Sequence, residues 1–182
     1  MSQSTGAPSL FDDGQIGTGG NNNSQSQAKL QAINLIDLLH DGFYLVFLIR
    51  NQYVPADAQQ FREKILNLLN QFEQQAKKLQ FSADDIHDAK YAFCALIDET
   101  IVTQQDPSYF NLQNAWLISP LQLSLFGSQL AGYRFFEILE QLRSRGKERL
   151  AALEVFHYCL LLGFQGKYRI ESIESLNHLV SR

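Results

Sequence analysis

Cysteine, proline, clustered cations and long hydrophobic runs are all scarce in this chain of 182 residues, and each scarcity removes a class of protein. Two cysteines, Cys94 and Cys159, cannot build a disulfide framework, and their isolation suits a reducing compartment. Fifteen Lys and Arg stand against nineteen Asp and Glu, for a formal net charge of −4. Phosphate contacts need the opposite balance, so no nucleic-acid partner is expected. The densest apolar stretches, residues 43–49 and 159–164, fall far short of the ~18–20 residues that cross a bilayer. No basic flank and apolar core open the chain, so no signal peptide is expected. What is present, 45% hydrophobic and 19% charged residues, describes a globular domain.

Catalytic and metal-binding patterns are missing as well. The four histidines and two cysteines form no CxxC or HxxxH pair, and no GxSxG elbow or GxxxxGK[ST] loop occurs. His157 and Cys159, two residues apart, point to different sides of a helix. Both cysteines read as small core residues, His157 as a packed or boundary histidine, and no cofactor, metal or enzymatic activity is expected. The four residues from Gly163 to Gly166 match the GxxG of a KH loop. In an acidic chain after an apolar helix they read instead as a C-cap, where glycine adopts positive φ; a positive φ is expected at Gly163 or Gly166 or both.

Residues 1–27 differ from all that follows. They hold five glycines, three consecutive asparagines, no Lys or Arg, and only Asp12 and Asp13 as charges. Such a segment buries too little apolar surface to offset its ordering entropy, so it reads as a flexible tail. The alternative is a short docking motif at Leu10, Phe11 and Ile16.

Residues 28–182 form the folded domain. Apolar residues at i, i+3, i+4 predict a first helix from about 31 to 50, weakened at Gly42 by a bend or a close helix contact. Asp57 caps a second, whose stripe runs from Phe61 to Leu79. Ser82 caps a third, apolar on nearly every side from Tyr91 to Ile97 and therefore central to a bundle. Residues 103–113 read as a polar connection, 114–126 as two short helical pieces divided by Pro120, with Gly127 and Gly132 bracketing a turn. Tyr133, Phe136, Ile138, Leu139 and Leu142 mark a fifth stripe; Leu150, Leu153, Phe156, His157, Leu160 and Leu161 a sixth; Ile173, Leu176 and Leu179 a last amphipathic piece. No strand-length alternation competes, and the domain is expected to be all-α.

Two charge features stand out. Asp98 and Glu99 end the most apolar helix; adjacent helical residues diverge by about 100°, so the two cannot act as one acid/base pair. They fit either a structural bond inside the bundle or an acidic recognition point in a groove, and both can hold; Asp98 is assigned inward and Glu99 to the cleft. Residues 84–106 carry six acids against Lys90 alone, whereas Arg143, Arg145, Lys147 and Arg149 surround Gly146 with only Glu148 opposing. A solvated turn is one reading of the basic cluster; opposed patches suited to protein docking is the other.

Tyr91-Ala92-Phe93-Cys94-Ala95-Leu96-Ile97-Asp98-Glu99 resembles the Y-A-x-x-A-x-x-D-E signature of the TssL family of type VI secretion, related to DotU/IcmH of type IVB secretion. Phe126-Gly127 followed by the tract from Ala131 to Leu139, and Glu154 followed by the tract from Tyr158 to Tyr168, agree in order and spacing. The resemblance covers about 31–182. It departs at Tyr133 and Gln165, where the family often carries acids whose roles do not transfer. It implies a hook-like pair of small helical bundles with a cleft, about seven helices in all. It further implies a non-enzymatic subunit at the cytoplasmic face of the bacterial inner membrane, anchoring the baseplate and tail. The partners implied are the TssM cytoplasmic region, the baseplate subunits TssK and TssE, and self-association. The family's single membrane helix follows its cytoplasmic domain, and this chain reads as that soluble domain without the anchor. Expected protein-binding residues are Asp98, Glu99, Arg143, Arg145 and Lys147; expected structural turns are Gly132, Gly163 and Gly166. A type IVB subunit and a soluble all-α adaptor are the alternatives.

Overall fold

The computed structural model describes residues 33–127 and 130–171. The expected tail (1–27) and last amphipathic piece (Ile173, Leu176, Leu179) lie outside the described residues. Among those described there are only helices: α1 (Leu35–Leu38), α2 (His40–Arg50), α3 (Ala58–Lys78), α4 (Ala83–Val102), α5 (Phe110–Ile118), α6 (Leu121–Phe126), α7 (Ala131–Arg145), α8 (Leu150–Leu161) and α9 (Tyr168–Glu171). Two 3-10 turns, Pro107–Tyr109 and Gly146–Arg149, lead into α5 and α8. The all-α class holds.

The helix starts follow their capping chemistry. Asp57 Oδ1 accepts the Gln60 amide (2.8 Å) and Ser82 Oγ the Asp85 amide (3.0 Å). At α1, Asn34 and Asp37 each accept the other's amide, at 2.8 and 2.9 Å, a complete capping box. The helix predicted over 31–50 is interrupted at Leu39 (φ −98°, ψ 4°), not at Gly42. Gly42 is instead a close contact: a Cβ there would lie 2.5 Å from Cζ of the fully buried Phe93.

Helix α4 occupies the centre, with every residue from Tyr91 to Asp98 buried. It packs on α2, α3, α5, α6, α7 and α8, most extensively on α8. Helices α2 and α3 on one side and α7 and α8 on another share α4, α1 bridges α3 and α8, and the hydrophobic core runs through α4 without a break. Phe43 and Phe93 meet edge to face (5.4 Å) on one side. Phe135, Phe156 and Phe164 cluster at 4.3–4.5 Å on the other.

Two stripes shift relative to expectation. Phe135 is buried and Tyr133 exposed; on α8 the buried face is Ala152, Val155, Phe156, Cys159 and Leu160, leaving Leu150 and Leu161 outside. Residues 103–113 are not simply a polar connection. Tyr109 is fully buried, with its hydroxyl 2.7 Å from the Ile49 carbonyl and 2.8 Å from that of Tyr53, and α5 already begins at Phe110.

Candidate protein-interaction site

Asp98 and Glu99 diverge as helix geometry requires, and each fastens a different segment to α4. Asp98 Oδ1 accepts Trp116 Nε1–H (2.7 Å) and the Leu121 amide (2.9 Å), while Oδ2 accepts the Gln122 amide (2.9 Å). Helix α6 starts at Pro120 without a side-chain cap of its own. Asp98 supplies one from α4, satisfying two of the amides that a helix start leaves open. Gln122 reaches back through Nε2 to the Tyr91 carbonyl (2.6 Å). Arg62 of α3 closes the corner, donating to the Ser119 carbonyl and to Ser124 Oγ (2.9 Å), with its guanidinium 5.3 Å from the Trp116 ring.

Glu99 turns to the segment after α8. Its Oε1 accepts the Gln165 amide (2.8 Å) and its Oε2 the Gly166 amide (2.7 Å). Gly163 (φ +87°) and Gly166 (φ +52°) both take the left-handed conformation that aims these amides inward. Arg50 braces the same segment, donating to the Leu162 carbonyl and approaching Thr100 Oγ1 at 3.5 Å. Glu99, assigned to the cleft, does line a groove, and backbone amides engage both its oxygens there. Burial raises the Asp98 carboxyl above its ordinary range despite the donors from Gln122, Leu121 and Trp116. Burial likewise raises Glu99, opposed by the Gln165 and Gly166 amides and by the charges of Arg169 and Arg50.

Between the two carboxylates opens a groove of ≈ 390 Å³ walled by Val102, Leu117, Ile118, Leu123 and Phe164. Ile118 is 81% exposed and Leu117 62%. Two large apolar side chains thus stand open to solvent beside a concave surface, a combination common at interaction sites.

Gly166 also sits against α7. A Cβ on it would lie 2.9 Å from both the Gly132 carbonyl oxygen and Phe136 Cε2. A Cβ on Gly132 would lie 3.1 Å from the Lys167 amide nitrogen, so both glycines allow one close approach. Gly166→Ala combines left-handed strain with overpacking and should cost about 2–4 kcal/mol, measured by urea denaturation. A loss under about 0.5 kcal/mol, the scale of neutral surface changes, would mean that the turn is not tightly packed.

The basic residues lie elsewhere. Arg143 pairs with Glu140 (2.9 Å) and borders a different groove, and Arg145 and Lys147 are exposed. Arg149 departs from the exposed-turn reading. Its side chain is 14% exposed, and it binds Asp85 Oδ1 and Asp88 Oδ2, each at 2.7 Å. The two opposed patches thus partly neutralise each other inside the fold, and Asp98, a third member of the acidic run, is buried.

The family model of the type VI secretion system protein DotU matches residues 34–182. The chain belongs to that family. Among solved structures it is similar to the cytoplasmic domain of TssL from Acinetobacter baumannii, at 95% identity and a TM-score of 0.82, over 83% of this chain and 94% of that one. It is also similar to SciP/TssL from enteroaggregative Escherichia coli 042, at 26% identity and a TM-score of 0.67, over 80% and 84% of the two chains. The search of curated proteins found no match.

In this DotU-family chain the three tracts that carry the resemblance meet in space. The α4 tract ends in Glu99, which accepts the Gly166 amide of the third tract, and the Gly132 carbonyl of the second accepts the Lys167 amide (3.3 Å). Sequence reasoning missed Arg50, Arg62 and Trp116 as members of this assembly. The single tryptophan was the one available signal, because a buried indole N–H needs an acceptor.

Proposed function

We propose that the chain is a structural subunit of the type VI secretion membrane complex, holding the baseplate and tail at the cytoplasmic face of the inner membrane. The carrying observation is the groove beside Asp98 and Glu99: Asp98 holds α5, which presents the apolar rim at Leu117 and Ile118, and Glu99 holds the segment that brings in Phe164. A rigid, pre-formed face lowers the ordering cost of association. Both carboxylates are engaged by backbone or indole N–H groups, which suits a scaffolding role over proton transfer. The TssM cytoplasmic region and the baseplate subunits TssK and TssE are the proposed occupants, with self-association through a separate face. No described helix is long and apolar enough to cross a membrane; the attachment in this proposal is the single membrane helix that the family resemblance implies.

The test is titration of the 182-residue chain with purified TssM, TssK and TssE fragments. Ile118→Asp should weaken binding to one of them at least about tenfold, the scale of a rim-to-core apolar contact, with the melting temperature held. Charge reversal at Arg145 and Lys147 should instead slow association and flatten its salt dependence if the basic turn contributes. Unchanged affinity of Ile118→Asp for all three fragments removes the groove from the interface.

A further inference from the structure

The groove that Arg143 borders is larger than the one at Asp98, ≈ 530 against ≈ 390 Å³, and no step above uses it. It runs between α7 and α8, with Leu139, Leu150, Leu153 and Leu160 in its walls. Leu150 is 47% exposed, an apolar residue at the helix start with nothing described over it. Asn34 and Ile36 form another part of the same lining. The chain therefore enters the described domain at the groove itself, and the 32 residues before Ile33 are tethered at its edge.

We propose that this groove takes a segment of the chain's own N-terminus, Leu10-Phe11-Asp12-Asp13. Leu10 and Phe11 are adjacent large apolar side chains in a stretch otherwise rich in Gly, Ser, Asn and Gln. Directly after them come Asp12 and Asp13, the only charges in residues 1–27. The groove offers the complement: leucine walls, Arg143 at its border, and exposed Arg145 and Lys147 on the turn that follows. Glu154 also lines it and Glu140 pairs with Arg143, so the attraction comes mainly from the turn. Reach is sufficient. The 20 residues from 14 to 33 can extend at most roughly 65–70 Å, ample for a return to a groove whose lining begins at Asn34. Tethering at that length makes the local concentration of the segment about millimolar, so a weak contact is enough to keep the groove occupied. Occupancy would cover Leu150 and neutralise part of the basic turn.

The test uses the full 182-residue chain. A nitroxide placed by Ser9→Cys labels one site, because Cys94 and Cys159 are both 0% exposed. Amide signals of residues 150–157 and 139–143 should lose at least about half their intensity, as expected for a mostly docked tether. Leu10→Ser combined with Phe11→Ser should restore them. Without any label, the same double substitution should shift those amides and leave residues of the Asp98 groove in place. Uniform broadening over the surface, broadening centred on Leu117 and Ile118, or broadening that survives the double substitution each overturns the proposal. Broadening of isotope-labelled chains by nitroxide on other copies would show a second molecule as the occupant and also overturn it. The readout needs no secretion partner, so it is separate from the proposed function.

Discussion

Asp98→Ala is expected to lower stability by about 3–5 kcal/mol, the scale of leaving three buried N–H donors without an acceptor after partial relaxation. The substitution leaves Trp116 Nε1–H and the Leu121 and Gln122 amides without their acceptor at a buried edge of the groove. Each orphaned donor costs about 1–3 kcal/mol, partly recovered as α6 loosens and water enters. Asp98→Asn keeps the shape and one acceptor oxygen, so its loss should be clearly smaller. The pH dependence gives a second readout. Burial raises the Asp98 carboxyl, so the folded chain holds that proton more tightly than the unfolded chain does. This contribution is fully present below the unfolded value, about 3.9, and is lost as pH rises through the folded value. Glu99 acts in the same direction. Wild-type stability should therefore fall from this source as pH rises above about 4, and less steeply in Asp98→Asn. Urea titrations at several pH values read both effects. Equal stability of wild type and Asp98→Ala would mean that α6 does not depend on α4 for its cap.

Arg149→Ala is the second large effect, about 2–4 kcal/mol. Asp85 and Asp88 would lose their shared cation while their side chains stay only 10% and 17% exposed. The cost is mainly that of two close carboxylates left facing each other in a poorly hydrated site. Reversing Arg145 and Lys147, which are exposed, should stay within about 0.5 kcal/mol, so the comparison separates a buried tie from a surface turn. Adding Asp85→Asn and Asp88→Asn to Arg149→Met should recover part of the loss, because no charge is then left unpaired. A melt of Arg149→Ala indistinguishable from wild type would place the ion triad in the solvated class after all.

The helical stripes, the caps at Asp57 and Ser82 and the central position of α4 were legible because each depends on neighbours within about one turn. The faces of α7 and α8 were harder to read. Phe135-Phe136 offers two adjacent aromatics, and α8 is apolar on several sides, so periodicity leaves the buried direction to the helices around it. The positive φ at Gly163 followed a local rule as well, since a helix that ends at glycine turns left-handed, whereas Gly166 lies in the turn beyond that end.

Composition and spacing by themselves determined that the described chain is helical and that α4 is its axis, while the tracts that mark the DotU family were legible through their resemblance to it. Tertiary structure alone decided what the charges do. Arg149 and Asp85, 64 residues apart in sequence, are joined at 2.7 Å, while Glu148 and Arg149, adjacent in sequence, differ in burial. Likewise Asp98 became a cap for a helix that begins 23 residues later, and Glu99 a clasp for a loop 66 residues away. The physical reason is range. Capping and amphipathicity act over one turn of helix, whereas the partner of a buried charge is whichever group packing brings within hydrogen-bonding distance once water has been excluded.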